Sequence, residues 1–361
     1  MNVLLDNLVT LVTFLAILVG LVVAHEFGHF VMARLARVRV HEFGIGFPPR
    51  LKRLWSDGET VYTLNWLPIG GFVRLEGEDG DSDDPRSFIR QALPARVAIL
   101  LAGVAMNVFL AFLIFVVIAA ALEPTAQARI ESVVPGSPAQ AVGLVPGDVI
   151  TGVDGRQFPY FDGQAPTNYT RDHAGQQVTL DVQLASGTSR QVPVQLRGPA
   201  DVAAGRGALG ITARIVLGPN VQRDLVTAIR VGADRTVQAC TLILGALGDL
   251  VGAVARNPTA APPVSGPIGI AEAVGTVRSE APPVVLLWLI ALLSANLAVV
   301  NALPLPPLDG GRVAVAILQA ATRNRISANI ERATYFIGFA VLFGILIYVS
   351  FFDLIRGGTG T

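Results

Sequence analysis

The stretch "LVTLVTFLAILVGLVVAHEFGHFVMARL", residues 8–35, decides how the rest of the chain is read. It is long and apolar enough to cross a bilayer, which takes about 20 residues of helix. Two histidines and a glutamate nevertheless lie near its end. No Lys or Arg precedes Arg34, so the basic start of a cleavable signal peptide is missing and the segment reads as a retained span. The composition agrees. Of 361 residues, 52% are hydrophobic and 15% charged, and mean hydropathy is +0.55. Basic and acidic residues balance at 27 each, so no net field favours a nucleic-acid partner. Cys240 is the only cysteine, which removes internal disulfides.

Residues 97–122, 284–300 and 335–352 pass the same length test. Basic residues orient the chain: Arg34, Arg37, Arg39, Arg50, Lys52 and Arg53 follow the first span against one acid, Glu42, while Asp6 precedes it. The N-terminus is therefore expected outside, residues 1–35 forming the first crossing and residues 36–96 a cytosolic loop. Four crossings then put residues 123–283 outside and the connection 312–334, with Arg312, Arg323, Arg325 and Arg332, in the cytosol. The C-terminus falls outside, against which Arg356 is a small dissent. Residues 218–283 carry helically spaced apolar residues with Arg and Asp on other faces, and are expected as an amphipathic segment on the outer surface. A fifth crossing there would invert the later topology.

The polar residues of the first span are ordered. His25 and His29 stand four apart on one helix face with Glu26 beside them, the HExxH pattern of a zinc hydrolase. From Leu8 to His25 a helix rises about 26 Å, which places the pair inside the bilayer near its cytosolic boundary. A catalytic zinc has three protein ligands and an open position, so one ligand remains to be found. Leu35 stands where the extended motif HExxHxxGxxH needs histidine. His41 and Glu42 belong to the cytosolic loop and His173 to the far side. Asp309 is better placed. It lies in "SANLAVVNALPLPPLDGGR", residues 294–312, where Pro304, Pro306 and Pro307 end the helix and Gly310 and Gly311 free the backbone. Residues 284–311 thus read as a third span with an unwound LDG segment at the depth of the histidines. Asn107, in the second span, is expected to join helices rather than to act in chemistry.

Two stretches read as β-structure. In "YTLNWLPIGGFVRLEGE", residues 62–78, alternation about a Pro-Ile-Gly-Gly turn predicts a hairpin whose apolar tip, Leu67, Pro68 and Ile69, dips back into the membrane beside the histidines. Its edge offers hydrogen bonds to an added strand, and residues 41–50 supply a further strand pair. Outside, "ARIESVVPGSPAQAVGLVPGDVITGVDG", residues 128–155, runs strand, turn, short helix, turn, strand, turn. With the later strands, it predicts a small β-rich domain over residues 126–215.

HEFGH in the first span, NALPLPPLDGG after the third, VSGPIGIA at residues 264–271 and the outward β-rich insert together resemble the bacterial site-two protease family, in its regulator-of-sigma-E branch, over nearly the whole chain. The resemblance implies one Zn(2+) per chain held by His25, His29 and Asp309, with Glu26 as catalytic base. It assigns substrate binding to Asn301, eight residues before Asp309, and is extended to Pro304, Leu67, Ile69, Gly70 and Gly71. The insert resembles a PDZ domain, with Leu209, Gly210 and Ile211 in the position of its peptide-binding loop. That branch often carries two such domains, and one is visible here. The fold class implied is a polytopic α-helical membrane protein of about four transmembrane helices, with a re-entrant cytosolic β-hairpin and one extracytoplasmic PDZ-like α+β domain. The activity implied is zinc-dependent intramembrane cleavage of single-span membrane proteins, such as anti-sigma factors or remnant signal peptides, already trimmed outside the membrane. The setting would be the bacterial inner membrane, with both termini extracytoplasmic. A metal-binding scaffold that displays a PDZ domain without catalysis is the alternative. A transporter would show repeated halves, which are not seen.

Overall fold

The computed structural model describes residues 3–78, 82–257, 261–322 and 328–358. The basic connection containing Arg323 and Arg325 lies outside these residues, as do the side chains of Arg332 and Arg356. The chain forms two units. One comprises residues 1–116 and 230–361, the other residues 117–229.

In the first unit, α1 (Val3–Leu35) and α2 (Leu93–Val117) pack antiparallel. The contact is close because small residues line it: a Cβ on Gly28 would strike the Ala102 carbonyl and Met106. Asn107 of α2 stands beside His25, while His29 stands beside Ile99 and Gly103, one turn and more earlier in α2. Further on, the 32-residue α6 (Leu225–Arg256), which belongs to this unit from Arg230 onward, α7 (Pro267–Glu280), α8 (Pro283–Ala302), α9 (Asp309–Ala321) and α10 (Ala328–Gly358) complete the unit. The α8 helix is antiparallel to α2, since Ser294 bonds the Asn107 carbonyl and Trp288 meets Phe115. It therefore runs in the same direction as α1.

Five helices among the described residues are long and apolar enough to cross a membrane, one more than the four expected, and the addition is α6. Arg235, Thr236, Ala239 and Ile243 are buried, whereas Val237, Leu242, Leu244 and Val251 are exposed. The expectation that a crossing by this helix would invert the later spans does not hold. Pro267 and Ile270 share a cavity with Leu18 and Leu21, while Arg278 pairs with Asp6, so α7 climbs back towards the start of α1. The direction of α8 is set by that return, whatever α6 does.

The expected hairpin at residues 62–78 is arranged differently. Its two arms, within β2 (Val61–Leu75), do not pair with each other; β1 (Val40–Ser56) runs between them. Phe43 of β1 faces Val73 on one side and Tyr62 on the other, and Ile45 faces Gly71 and Leu64. The chain then folds back so that Arg53 faces Thr63 and Trp55 faces Tyr62. Gly46 and Gly70, where the strands bend, have φ of +77 and +79, values that other residues adopt only with strain. Within the sheet, buried Glu42 accepts from Arg50 at 2.8 Å and Thr63 at 2.8 Å.

The second unit is a five-stranded antiparallel sheet in the order β6-β5-β4-β3-β7, built from β3 (Pro124–Val133), β4 (Val149–Val153), β5 (Gln177–Gln183), β6 (Ser189–Gln195) and β7 (Ile211–Asn220). Short helices α3 (Pro138–Ala141), α4 (Pro166–Asp172) and α5 (Pro199–Ala203) connect them. Alternation buries Val178, Leu180 and Val182 of β5 against Ile130, Ile150 and Phe158, each such side chain contributing about 1.5–3 kcal/mol. The Asp-Gly turn is present: Asp154 and Gly155 both have positive φ, and the Asp154 carboxylate accepts from the Thr179 amide at 2.7 Å. Leu209 is buried in this core, and Ile211 opens the edge strand β7. The Gly210 N–H donates to Gly207, so it is already engaged within its own loop.

Candidate metal centre

Helical spacing projects His25 and His29 from one face of α1, and α2 covers that face. Their rings meet edge to face with centroids 4.8 Å apart. The third group comes from far along the chain. After α8 ends at Ala302, residues 303–308 turn the backbone, and Asp309 is the first residue of α9 rather than part of the unwound segment. An acid in the first helical turn suits the positive end of the helix. Gly310 packs against the Ala302 and Leu303 carbonyls, and Gly311 against the Leu305–Pro306 peptide, so a Cβ at either would collide. The two glycines let α9 start tightly beneath the turn.

This brings Asp309 Oδ2 to 2.9 Å from His25 Nε2 and 3.3 Å from His29 Nε2, with the two nitrogens 3.1 Å apart. His25 is 6% exposed and Asp309 8%. The donor set and its spacing fit zinc: bonds of ~2.0–2.1 Å in a tetrahedral site separate neighbouring ligand atoms by about 3.3 Å. His29 Nδ1 donates to the Ile99 carbonyl at 2.8 Å, which leaves Nε2 free to ligate. Gly103 makes room. A Cβ there would lie 2.7 Å from both Cε1 and Nε2 of His25 and against Nε2 of His29, so any side chain would fill the space beside the ligand atoms.

Glu26 opens onto a cavity of about 350 Å³ beside the triad. Gly70, Gly71 and Asn301 line it; Leu67 and Pro304 do not, and the side chain of Ile69 is outside the described residues. Phe47, Leu18, Leu297 and Leu308 line it as well. Their only signal in the sequence is apolar character, which does not distinguish them from other core or span residues. Arg312, one helical turn after Asp309, pairs with Glu78 at 2.5 Å and so ties α9 to the loop after β2.

The rival third ligands are engaged elsewhere. Glu42 is held by Arg50 and Thr63, and His173 bonds the Tyr169 carbonyl at 2.9 Å and stacks on that ring. His41 bonds Glu76 at 2.6 Å. Ser82 and then His41 hold the Glu76 carboxyl below its ordinary pKa, keeping it ionised. Among the described residues, His25, His29 and Asp309 form the one cluster able to hold a metal.

The site therefore has the donor set of a metalloprotein, with two of its groups on a helix long and apolar enough to cross a membrane and the third on α9. The sequence profile of Peptidase family M50 matches residues 13–345, and the chain belongs to that family. A Clostridium perfringens protein whose name describes a zinc metalloprotease is 33% identical over 345 residues, covering 93% of this chain and 96% of that one. Zinc metalloprotease RasP of Oceanobacillus iheyensis is 26% identical over 429 residues, covering 96% and 99%. Metalloprotease MmpA of Caulobacter vibrioides is 29% identical over 398 residues, covering 97% and 96%.

Proposed function

We propose that this member of family M50 is a zinc-dependent endopeptidase that cuts a peptide bond inside the transmembrane segment of a single-span membrane protein. The observation that carries the reading is a His25, His29 and Asp309 triad, of which His25 and Asp309 are buried and share one cavity with Glu26, among strongly apolar helices. The names of the three relatives agree on metalloprotease, two of them on zinc.

Zinc, when bound by the triad, supplies Lewis-acid polarisation of the scissile carbonyl and of the attacking water. The Glu26 carboxylate takes that water's proton and returns it to the nitrogen of the departing amine. Asn301 positions the substrate, its amide nitrogen donating to a backbone carbonyl and its oxygen accepting from an N–H. A peptide must leave its helix to be cut, and the lost hydrogen bonds need replacement in a medium without water. The Gly70–Leu75 arm supplies them as an edge strand: it pairs with β1 on one side only among the described residues.

In this reading α1, α2, α8 and α10 cross the inner membrane of a bacterium and α6 lies on its outer surface. The β1–β2 sheet is cytosolic, and the second unit is an extracytoplasmic PDZ-like domain. Its antiparallel sheet, short helices and Pro-Gly and Asp-Gly turns support that assignment. Peptide binding at its loop would use the amides of Leu209 and Ile211, since that of Gly210 is engaged. Substrates are single-span proteins trimmed outside the membrane beforehand. The test is cleavage of a single-span substrate by the purified protein in detergent. Activity that disappears both on chelation and in Glu26→Gln supports the reading; cleavage that survives chelation rejects it.

A further inference from the structure

The two histidines are oriented by different kinds of partner. His29 Nδ1 faces the Ile99 carbonyl, which only accepts, so its proton sits on Nδ1. His25 Nδ1 faces the side-chain amide of Asn107, with Nδ2 at 3.2 Å. Asn107 is 0% exposed, and its Oδ1 has no hydrogen-bond partner among the described residues. Its backbone is anchored, because Ser294 of α8 donates to the Asn107 carbonyl at 2.8 Å.

An amide can present either end, since its oxygen and nitrogen are nearly the same size. With Nδ2 turned to the ring, Nδ1 accepts and the proton lies on Nε2, aimed at Asp309. With Oδ1 turned to the ring, Nδ1–H donates and the Nε2 lone pair is free for a metal. The half-turn moves no other atom of α2. We propose that Asn107 is the positioning residue of His25, presenting its side-chain oxygen to Nδ1–H and so selecting the tautomer that ligates zinc through Nε2. This goes beyond a role in joining helices, and it rests on the triad's being a zinc site.

The experiment measures zinc affinity of the full-length protein by competition with a chelator, independently of activity, in the parent, Asn107→Leu and Asn107→Asp. Leucine keeps the bulk without an acceptor, and aspartate keeps an acceptor. The expected result is a loss of about 10–100-fold for Asn107→Leu, the range found when an outer hydrogen-bond partner of a ligand is removed, with Asn107→Asp holding zinc within about threefold of the parent. Asn107→Ala stands in should the leucine variant not fold. Thermal unfolding of the zinc-stripped proteins separates packing from positioning, because a packing role predicts that aspartate is the more damaging substitution. Parent-like affinity in Asn107→Leu, or an equal loss in Asn107→Asp, would overturn the proposal. A parent that binds no zinc would instead remove the metal-site reading itself.

Discussion

Asp309 Oδ2 stands 2.9 Å from His25 Nε2, joining the first residue of α9 to the last third of α1. In the proposed site α1 supplies two of the three ligand groups, and the third reaches them because the chain breaks after α8 and restarts its helix at Asp309. Removing that carboxylate should weaken zinc by more than the ~100-fold lost with an outer hydrogen-bond partner. Metal counted in purified Asp309→Ala after dialysis checks this. A full complement in that variant would return Glu42 to contention, despite its present bonds to Arg50 and Thr63.

Gly103 is as restrictive as a ligand. Gly103→Ala puts a methyl 2.7 Å from the His25 ring, which costs about 1–3 kcal/mol of strain and spreads the ligand atoms. Zinc content should fall while far-UV helicity stays near the parent's. Normal zinc in Gly103→Ala would mean that α1 and α2 are looser here than their contacts indicate.

Arg312 and Glu78 hold the start of α9 against the loop after β2. Arg312→Gln should lose about 1.5–3 kcal/mol, the range for a hydrogen bond to a charged group, and should speed zinc release into chelator. Glu78→Gln should do the same. The double variant should show less than the sum of the two losses, as expected for partners in one contact; strict additivity would show that the pair does not act as a unit.

How far the sequence alone leads differs from part to part. His25, Glu26 and His29 are local, set by helix periodicity, and nothing in the tertiary structure was needed to find them. The break at Pro304 to Pro307 is legible in the sequence, whereas the helix restart at Asp309 is masked by Gly310 and Gly311, which weaken a helical pattern. The pairing within the β1–β2 sheet is not legible for a physical reason: alternation shows that residues 62–75 form strands without showing what pairs between the arms. Gly103 looked like any small residue of a span, and Phe47 like any strand residue. Both acquire meaning only from the residues that pack opposite them.

If the second unit selects substrates by the size of their outer part, a chain lacking residues 126–215 should cut untrimmed single-span proteins that the intact chain leaves alone. Comparing the two proteins on trimmed and untrimmed forms of one substrate checks this. Equal discrimination by both would place the selection elsewhere.

The central claim is that the bond is cut inside the apolar segment with Glu26 moving the proton. Its most direct test is to map, by mass spectrometry, the ends of the fragments produced from an intact single-span substrate by the parent and by Glu26→Gln, with zinc counted in both. The account predicts a cut within the membrane-spanning residues for the parent, no cut above about 1% of that rate for the variant, and one zinc in each. A cut confined to the flanks of the span, or cleavage that persists in Glu26→Gln with zinc in place, would contradict it.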